Sequence, residues 1–146
     1  MKRLVKFILG LGLLLSLNPA MADEKRPITV NDLPASSQEF IATHFQAEPI
    51  SVVWVEGFID KEYTVLFTNG IKVQFDRKGA WEEIKSKHAA LPAEVIPPMI
   101  VAHVGERFPQ ARIISLEQKH RGYKVELSND LELKFDLKYR LVEIDD

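Results

Sequence analysis

Four histidines, His44, His88, His103 and His120, are the side chains of this chain most suited to metal ligation or proton transfer. No two share a short metal-binding spacing, so a metal centre would need separate elements to converge. Solvated or half-buried imidazoles are the expectation. Adjacent acids occur at Glu82-Glu83 and Asp145-Asp146. Neighbouring strand residues point to opposite faces, which denies Glu82 and Glu83 the shared site that a carboxylate dyad needs. Asp145-Asp146 reads as a solvated pair. Asp76 and Asp136 each follow a Phe. Loop aspartates suit calcium, but Asp76-Arg77-Lys78-Gly79 lacks the further acids of such a loop, and turn stabilisation is the expected role. No serine stands in a G-x-S-x-G elbow, no Gly-rich phosphate loop is present, and there is no cysteine. Thiol catalysis and zinc–thiolate sites are thereby excluded. The expectation is a protein that is not an enzyme and needs no metal or cofactor.

The remaining functional candidates are residues that bind. If Val53 and Val55 face a core, Trp54 faces outward, where an indole is a strong contact residue; a reversed strand would bury it instead. Leu66 is a second apolar residue expected on the open side. Phe58 lies in the loop of residues 57–62 as a candidate exposed tip. Lys72, Lys124, Glu126 and Lys134 form a charged ladder on the same expected face. Tyr63 completes the candidate contact set, although its alternation places it with the core. Trp81 is read as packing.

These residues hang on strands whose pattern recurs. Tyr63-Thr64-Val65-Leu66-Phe67-Thr68-Asn69-Gly70-Ile71-Lys72-Val73-Gln74-Phe75-Asp76 returns 60 residues later, without a gap, as Tyr123-Lys124-Val125-Glu126-Leu127-Ser128-Asn129-Asp130-Leu131-Glu132-Leu133-Lys134-Phe135-Asp136. Each copy opens on Leu-Pro, at Leu33-Pro34 and Leu91-Pro92. In the first, Asp32 is placed to cap a helix that carries Phe40, Ile41, His44 and Phe45. Strands are predicted at 50–56, 63–68, 71–75 and 80–84. Asn69-Gly70 predicts a type I′ hairpin, and Asp76 to Gly79 a type I turn. In the second copy Ala93 to Arg107 is helical, broken at Pro97-Pro98. Strands follow at 112–117, 123–128, 131–136 and 140–145. Tyr139 replaces Gly79, so that turn must differ or carry strain. Apolar Val65, Phe67, Val73, Phe75, Val125, Leu127, Leu133 and Phe135 share one face, which helices would cover. The predicted fold is α+β: a tandem repeat of a helix plus a four-stranded antiparallel meander, with helices packed on one face of the sheet.

Residues 1–22 read as a signal peptide. Lys2, Arg3 and Lys6 precede an apolar run from Phe7 to Leu17, and Ala20-Met21-Ala22 is an A-x-A cleavage site. The run is short for a membrane span of about 20 residues. Cleavage leaves 124 residues with 16 basic against 21 acidic side chains, a net charge of −5. Such a surface argues against nucleic acid and anionic membrane as partners. Location in the periplasm, outside the cell or on its surface is expected, with no stable membrane insertion after cleavage. The predicted organisation is a flexible lead at 23–31, repeat 1 at 32–84, a joint at 85–90 and repeat 2 at 91–146.

The order of Leu33-Pro34, Tyr63-x-Val65, Asn69-Gly70, Phe75-Asp76 and Gly79-x-Trp81 resembles the PepSY-like family of small exported bacterial proteins, also described as beta-lactamase-inhibitor-like, in two tandem copies. The family is similar in fold to the secreted beta-lactamase inhibitor protein, whose repeats present a concave sheet to an enzyme. That resemblance implies a non-catalytic binding or inhibitory module. The matched residues are structural and carry no functional role across. The chain departs from the inhibitor in having no cysteine for disulfides. The functional expectation is a protein-binding module with a partner in the cell envelope. The alternative is a periplasmic small-ligand carrier with a pocket between helices and sheet.

Overall fold

The computed structural model describes residues 24–87 and 89–146. The expected signal peptide and His88 lie outside the described residues. In chain order the elements are β1 (Arg26–Pro27), a 3-10 turn (Val30–Asp32), α1 (Ala35–His44), β2 (Ile50–Glu56), β3 (Glu62–Phe67), β4 (Lys72–Phe75) and β5 (Trp81–Lys85). There follow a second 3-10 turn (Ala93–Val95), α2 (Pro98–Arg107), β6 (Ile113–Lys119), β7 (Gly122–Leu127), β8 (Glu132–Asp136) and β9 (Leu141–Asp145).

The predicted tandem of helix-plus-four-strand units is corrected by this topology. Among the described residues nine strands form one antiparallel sheet in the order β1 to β9, mostly sheet with two short helices. β5 and β6 pair directly, with Ile84 opposite Leu116, so no boundary separates two units. The expected joint runs along this seam: Ser86 N–H donates to Ile114 O at 2.8 Å and Leu91 N–H to Ile113 O at 2.9 Å. An isolated four-stranded sheet would leave an unpaired edge at each end and too little core. Joining removes two of those edges and merges the cores.

One row of side chains shows how the core is built. Val53, Val65, Val73, Ile84, Leu116, Val125, Leu133 and Ile144 stand opposite one another from β2 to β9. All but Ile144 are buried. Ile41 and Phe45 from the first helical segment, with Ile100 and Val104 of α2, join the same cluster. Phe45 stacks on Phe67 at 4.8 Å between ring centres, and Phe40 meets Phe75 edge-on at 5.8 Å.

Three local features refine the reading. Within the expected lead, Arg26 and Pro27 form β1, with Arg26 opposite Val55 and Pro27 opposite Trp54. Asp32 does not cap α1. Its carboxylate accepts from Thr29 N–H and the Thr29 hydroxyl, both at 2.9 Å, and closes the 3-10 turn, while Pro34 takes the N-cap position. Asn69-Gly70 is not a type I′ turn, because Gly70 (φ 90°) has positive φ and Asn69 does not.

Four hairpin ends share one geometry instead. Phe67 N–H donates to Ile71 O at 2.9 Å, and Phe67 O accepts from Gly70 N–H at 3.0 Å. The same pair of bonds recurs around Asp76, Leu127 and Asp136. This is a three-residue loop, a type I turn followed by one left-handed residue. Gly70 and Gly79 supply that residue in the first half; Asp130 (φ 69°) and Tyr139 (φ 62°) are forced into it in the second.

Asp76 and Asp136 act as turn formers. Asp76 Oδ1 accepts from Lys78 N–H and Ala80 N–H at 2.8 and 3.0 Å; Asp136 Oδ1 accepts from Lys138 N–H and Arg140 N–H at 2.9 and 3.0 Å. The Arg140 N–H, its guanidinium and the Lys138 N–H hold the Asp136 carboxyl below its ordinary range. A folded value below the unfolded one stabilises above the unfolded pKa of about 3.9 and is lost as pH falls through the folded value. The expected result is that Asp136→Ala melts below the native chain at neutral pH, and that the gap closes below about pH 4. Thermal melts of both proteins across pH 2.5 to about 7 check this.

Candidate functional site

The open face of the sheet is a patterned surface made of two lateral rows. One runs Trp54, Thr64, Gln74, Glu83, Glu117, Lys124, Lys134, Glu143; the other runs Val52, Leu66, Lys72, Lys85, Ser115, Glu126, Glu132, Asp145. Bulges at Gln74/Phe75 and Lys134/Phe135, between the turns and the rows, bring Glu83 and Glu143 into them.

The rows change character along their length. At the β2–β3 end, Trp54 stands beside Pro27 and Thr64, with Val52 opposite Leu66 in the next row. Val53 and Val55, its neighbours in β2, are buried, so Trp54 points out of the core. Lys25 Nζ lies 4.8 Å from the centre of the Trp54 ring and 3.7 Å from a Glu56 oxygen. Phe58 is 60 % exposed at the loop tip, with the Arg26 guanidinium 4.5 Å over its ring. Lys72 makes no ion pair among the described residues.

At the β6–β9 end the face is a lattice of ion pairs. Lys124 Nζ approaches Glu117 at 3.2 Å and Glu132 at 3.9 Å; Lys134 Nζ approaches Asp145 at 3.1 Å and Glu143 at 3.2 Å; Lys85 Nζ meets Glu126 at 3.4 Å. The Glu117 hydrogen bond raises the Lys124 pKa above its usual value. Burial pushes Glu117 up, but hydrogen bonds from Lys119 and Lys124 outweigh it and leave it below its ordinary range. Exposed pairs of this kind are worth about 0–1 kcal/mol each. Their larger effect is to neutralise one another.

The predicted contact residues therefore divide. Trp54, Leu66 and Lys72 share the open face near β1, with Phe58 beyond its rim. Lys124, Glu126 and Lys134 are on that face but engaged with neighbouring strands. Tyr63 lies where its alternation places it, opposite Phe75 and Val55 and packed against the core, because β3 alternates from buried Val65. Sequence reading missed Val52, whose spacing of two from Trp54 could have revealed it, and Lys25, hidden in a segment too short and polar to register as a strand.

Two other features bear on chemistry. A groove of about 340 Å³ at the β4–β5 end is lined by Asp60, Glu62, Asp76 and Glu82 among others. Burial, then repulsion by Glu62, Asp76 and Glu117, raises the Glu82 pKa. Among the described residues no three His, Asp or Glu side chains are placed to hold a metal ion. The space between helices and sheet, where a carrier would keep its ligand, is filled by fully buried Phe67, Phe75, Ile84, Ile100, Leu116 and Leu127.

Residues 61–143 match the family described as beta-lactamase-inhibitor-like, PepSY-like, which is more than half of the chain. The chain belongs to the PepSY-like family. The match runs through both 60-residue-spaced segments as one stretch and does not divide them into two tandem family copies. Among solved structures, a candidate periplasmic protein of the DUF2874 family from Bacteroides vulgatus is 40 % identical to this PepSY-like chain. Its TM-score is 0.77, over 86 % of this chain and 99 % of its own. A candidate calcium-regulated periplasmic protein from Bacteroides thetaiotaomicron is 42 % identical with a TM-score of 0.79, over 84 % and 97 %. A candidate periplasmic protein of unknown function from Bacteroides vulgatus is 27 % identical with a TM-score of 0.77, over 84 % and 100 %. No curated protein matches the chain. The descriptions of these relatives support an exported location for this PepSY-like protein. Among the described residues no helix is long and apolar enough to cross a membrane.

Proposed function

We propose that this protein is a non-catalytic, exported binding module that takes a protein partner in the cell envelope on the β1–β4 end of its open sheet face. The observation that carries the reading is the outward Trp54, set in an apolar patch with Val52 and Leu66 and flanked by Lys72 and the Phe58 tip. Protein interfaces centre on such apolar anchors inside a polar rim. Trp54, Phe58, Leu66 and Lys72 are the proposed contacts. Lys124, Glu126 and Lys134 serve as rim, since each must release an internal partner before it can meet another.

The test is capture from an envelope extract with the exported protein and with Trp54→Ala. A partner retained by the native chain is expected to be lost with Trp54→Ala. An anchor of this type is worth about 2 kcal/mol or more, which is about 30-fold in Kd. Circular dichroism should leave the two proteins indistinguishable, because Trp54 is outside the core. Capture that is unchanged by the substitution would move the site off this face.

A further inference from the structure

The patch around Trp54 is already occupied, by the chain itself. β1 lies along the outer edge of β2, and its side chains alternate across that edge. Lys25 falls on the open side over the Trp54 ring, 3.7 Å from Glu56. Arg26, opposite Val55, falls on the other side; its Nη2 donates to Gly57 O at 2.6 Å while the guanidinium covers Phe58. Pro27 returns to the open side against Trp54. Ile28 N–H donates to Val53 O at 3.0 Å, and its side chain packs on the rim of the core. An extended stretch of basic, basic, any and branched aliphatic residues thus meets a ring for each cation, a carboxylate for the first, and an apolar rim for the aliphatic. That is strand addition, with main-chain bonds for affinity and alternate pockets for selection.

The fit of β1 is incomplete. It is two residues long. Among the described residues the buried Arg26 Nη1 has no hydrogen-bond partner, and a buried polar atom left unpaired is a cost against the closed state. Ile28 N–H points at β2, so by strand alternation the missing N–H of Pro27 faces outward. Pro27 therefore stops a further strand from adding outside β1 without strengthening its hold on β2. Everything beneath β1 is a complete docking edge.

Resting on the reading of Trp54 as the contact centre, we propose that the outer edge of β2 is the docking edge for an extended basic segment of a partner protein, and that residues 25–28 are a stand-in which that segment displaces. The intramolecular strand competes at an effective concentration of about millimolar, so the intact chain takes such a segment weakly, and loosening β1 strengthens binding.

The probe is a fluorescein-labelled peptide with the chain's own sequence Glu-Lys-Arg-Pro-Ile-Thr-Val, residues 24–30, followed by fluorescence anisotropy. The proteins are the exported chain and its Lys25→Glu/Arg26→Glu variant, in which Glu56 repels the loosened segment. The variant is expected to bind the peptide at least ten-fold more tightly than the native chain. Adding Trp54→Ala to it should weaken binding at least ten-fold. Equal binding by native and loosened chains, or none by a loosened chain that keeps its native circular dichroism, overturns the proposal. Should the variant not fold, amide exchange on the native chain decides: Ile28 N–H is expected to exchange at least 100-fold faster than Val65 and Val125 in mid-sheet. Equal protection makes β1 a permanent strand and overturns displacement. A dimer seen by light scattering of the native chain would seat a second copy's residues 25–28 on the edge, and would overturn the partner assignment. Envelope capture lost with Trp54→Ala but accompanied by no peptide binding leaves the binding face standing and removes only the docking edge; both failing removes both.

Discussion

Gly79→Ala is expected to destabilise the protein by about 3 kcal/mol, through a turn and a helix at once. Gly79 sits at φ 90°, and a Cβ there would run into Ser36 Oγ and stand 2.6 Å from Pro34 Cβ and 2.8 Å from Ser37 Oγ. The left-handed conformation alone costs a side-chain-bearing residue about 1–2 kcal/mol. The second loss is the docking of α1. Ser37 Oγ donates to Gly79 O and Ser36 Oγ to Lys78 O, each at 3.0 Å, and Ser37 is fully buried. A methyl group at position 79 pushes the first turn of α1 away from the β4–β5 turn, and each hydrogen bond so lost costs about 1 kcal/mol. Urea titration followed by circular dichroism measures the effect. The midpoint should fall with an unchanged slope, since the surface exposed on unfolding is the same. A loss below about 1 kcal/mol would mean that α1 can shift without leaving the sheet.

Phe75→Ala is expected to cost more, about 3–5 kcal/mol. Phe75 is fully buried, lies opposite Tyr63 and Trp81, and receives the Phe40 ring edge-on at 5.8 Å. Removing it leaves a cavity under the end of α1 where no neighbour can collapse, because β3 and β5 are fixed by pairing on both sides. A domain of this size has about 5–15 kcal/mol in total, so the variant should melt far below the native chain. Thermal melting checks the direction. Phe75→Leu, which keeps most of the volume, should recover more than half of the loss.

Much of the sheet was legible because its strands alternate. Val53, Trp54 and Val55 in β2, and Val65 to Phe67 in β3, carry the period of two that separates faces, and the side of Trp54 followed once Val53 and Val55 were found buried. The single sheet was not legible. A repeat reports what is copied and says nothing about how copies join, and the β5–β6 pairing depends on contacts between residues 30 to 34 apart in sequence. The turn type at Asn69-Gly70 was missed because the Phe67–Ile71 bond makes a three-residue loop, and loop length, not the dipeptide, selects the turn. The candidate site divided for a similar reason. Whether Lys124 and Lys134 are free depends on which residue faces them across each strand; the β6–β7 hairpin sets that for Lys124, and for Lys134 a bulge beside Phe135 does, which leaves no mark in the sequence. Lys25 and Arg26 could not be placed at all, since two residues of strand are too few to make a pattern.

One hairpin geometry is built four times in this molecule, twice on glycine and twice on residues that resist it. Asp130 and Tyr139 hold left-handed conformations in the β7–β8 and β8–β9 turns, while Gly70 and Gly79 take them freely in the first half. The Tyr139 ring packs against Tyr123 with centres 5.4 Å apart, which offsets part of its strain. The sheet consequently has a grain: its β1–β5 end is relaxed at the turns and its β8–β9 end is wound. Beyond the short strap of β1, fraying should start at β9, so the far hairpin breathes while β2 to β4, which carry the open face around Trp54, stay firm.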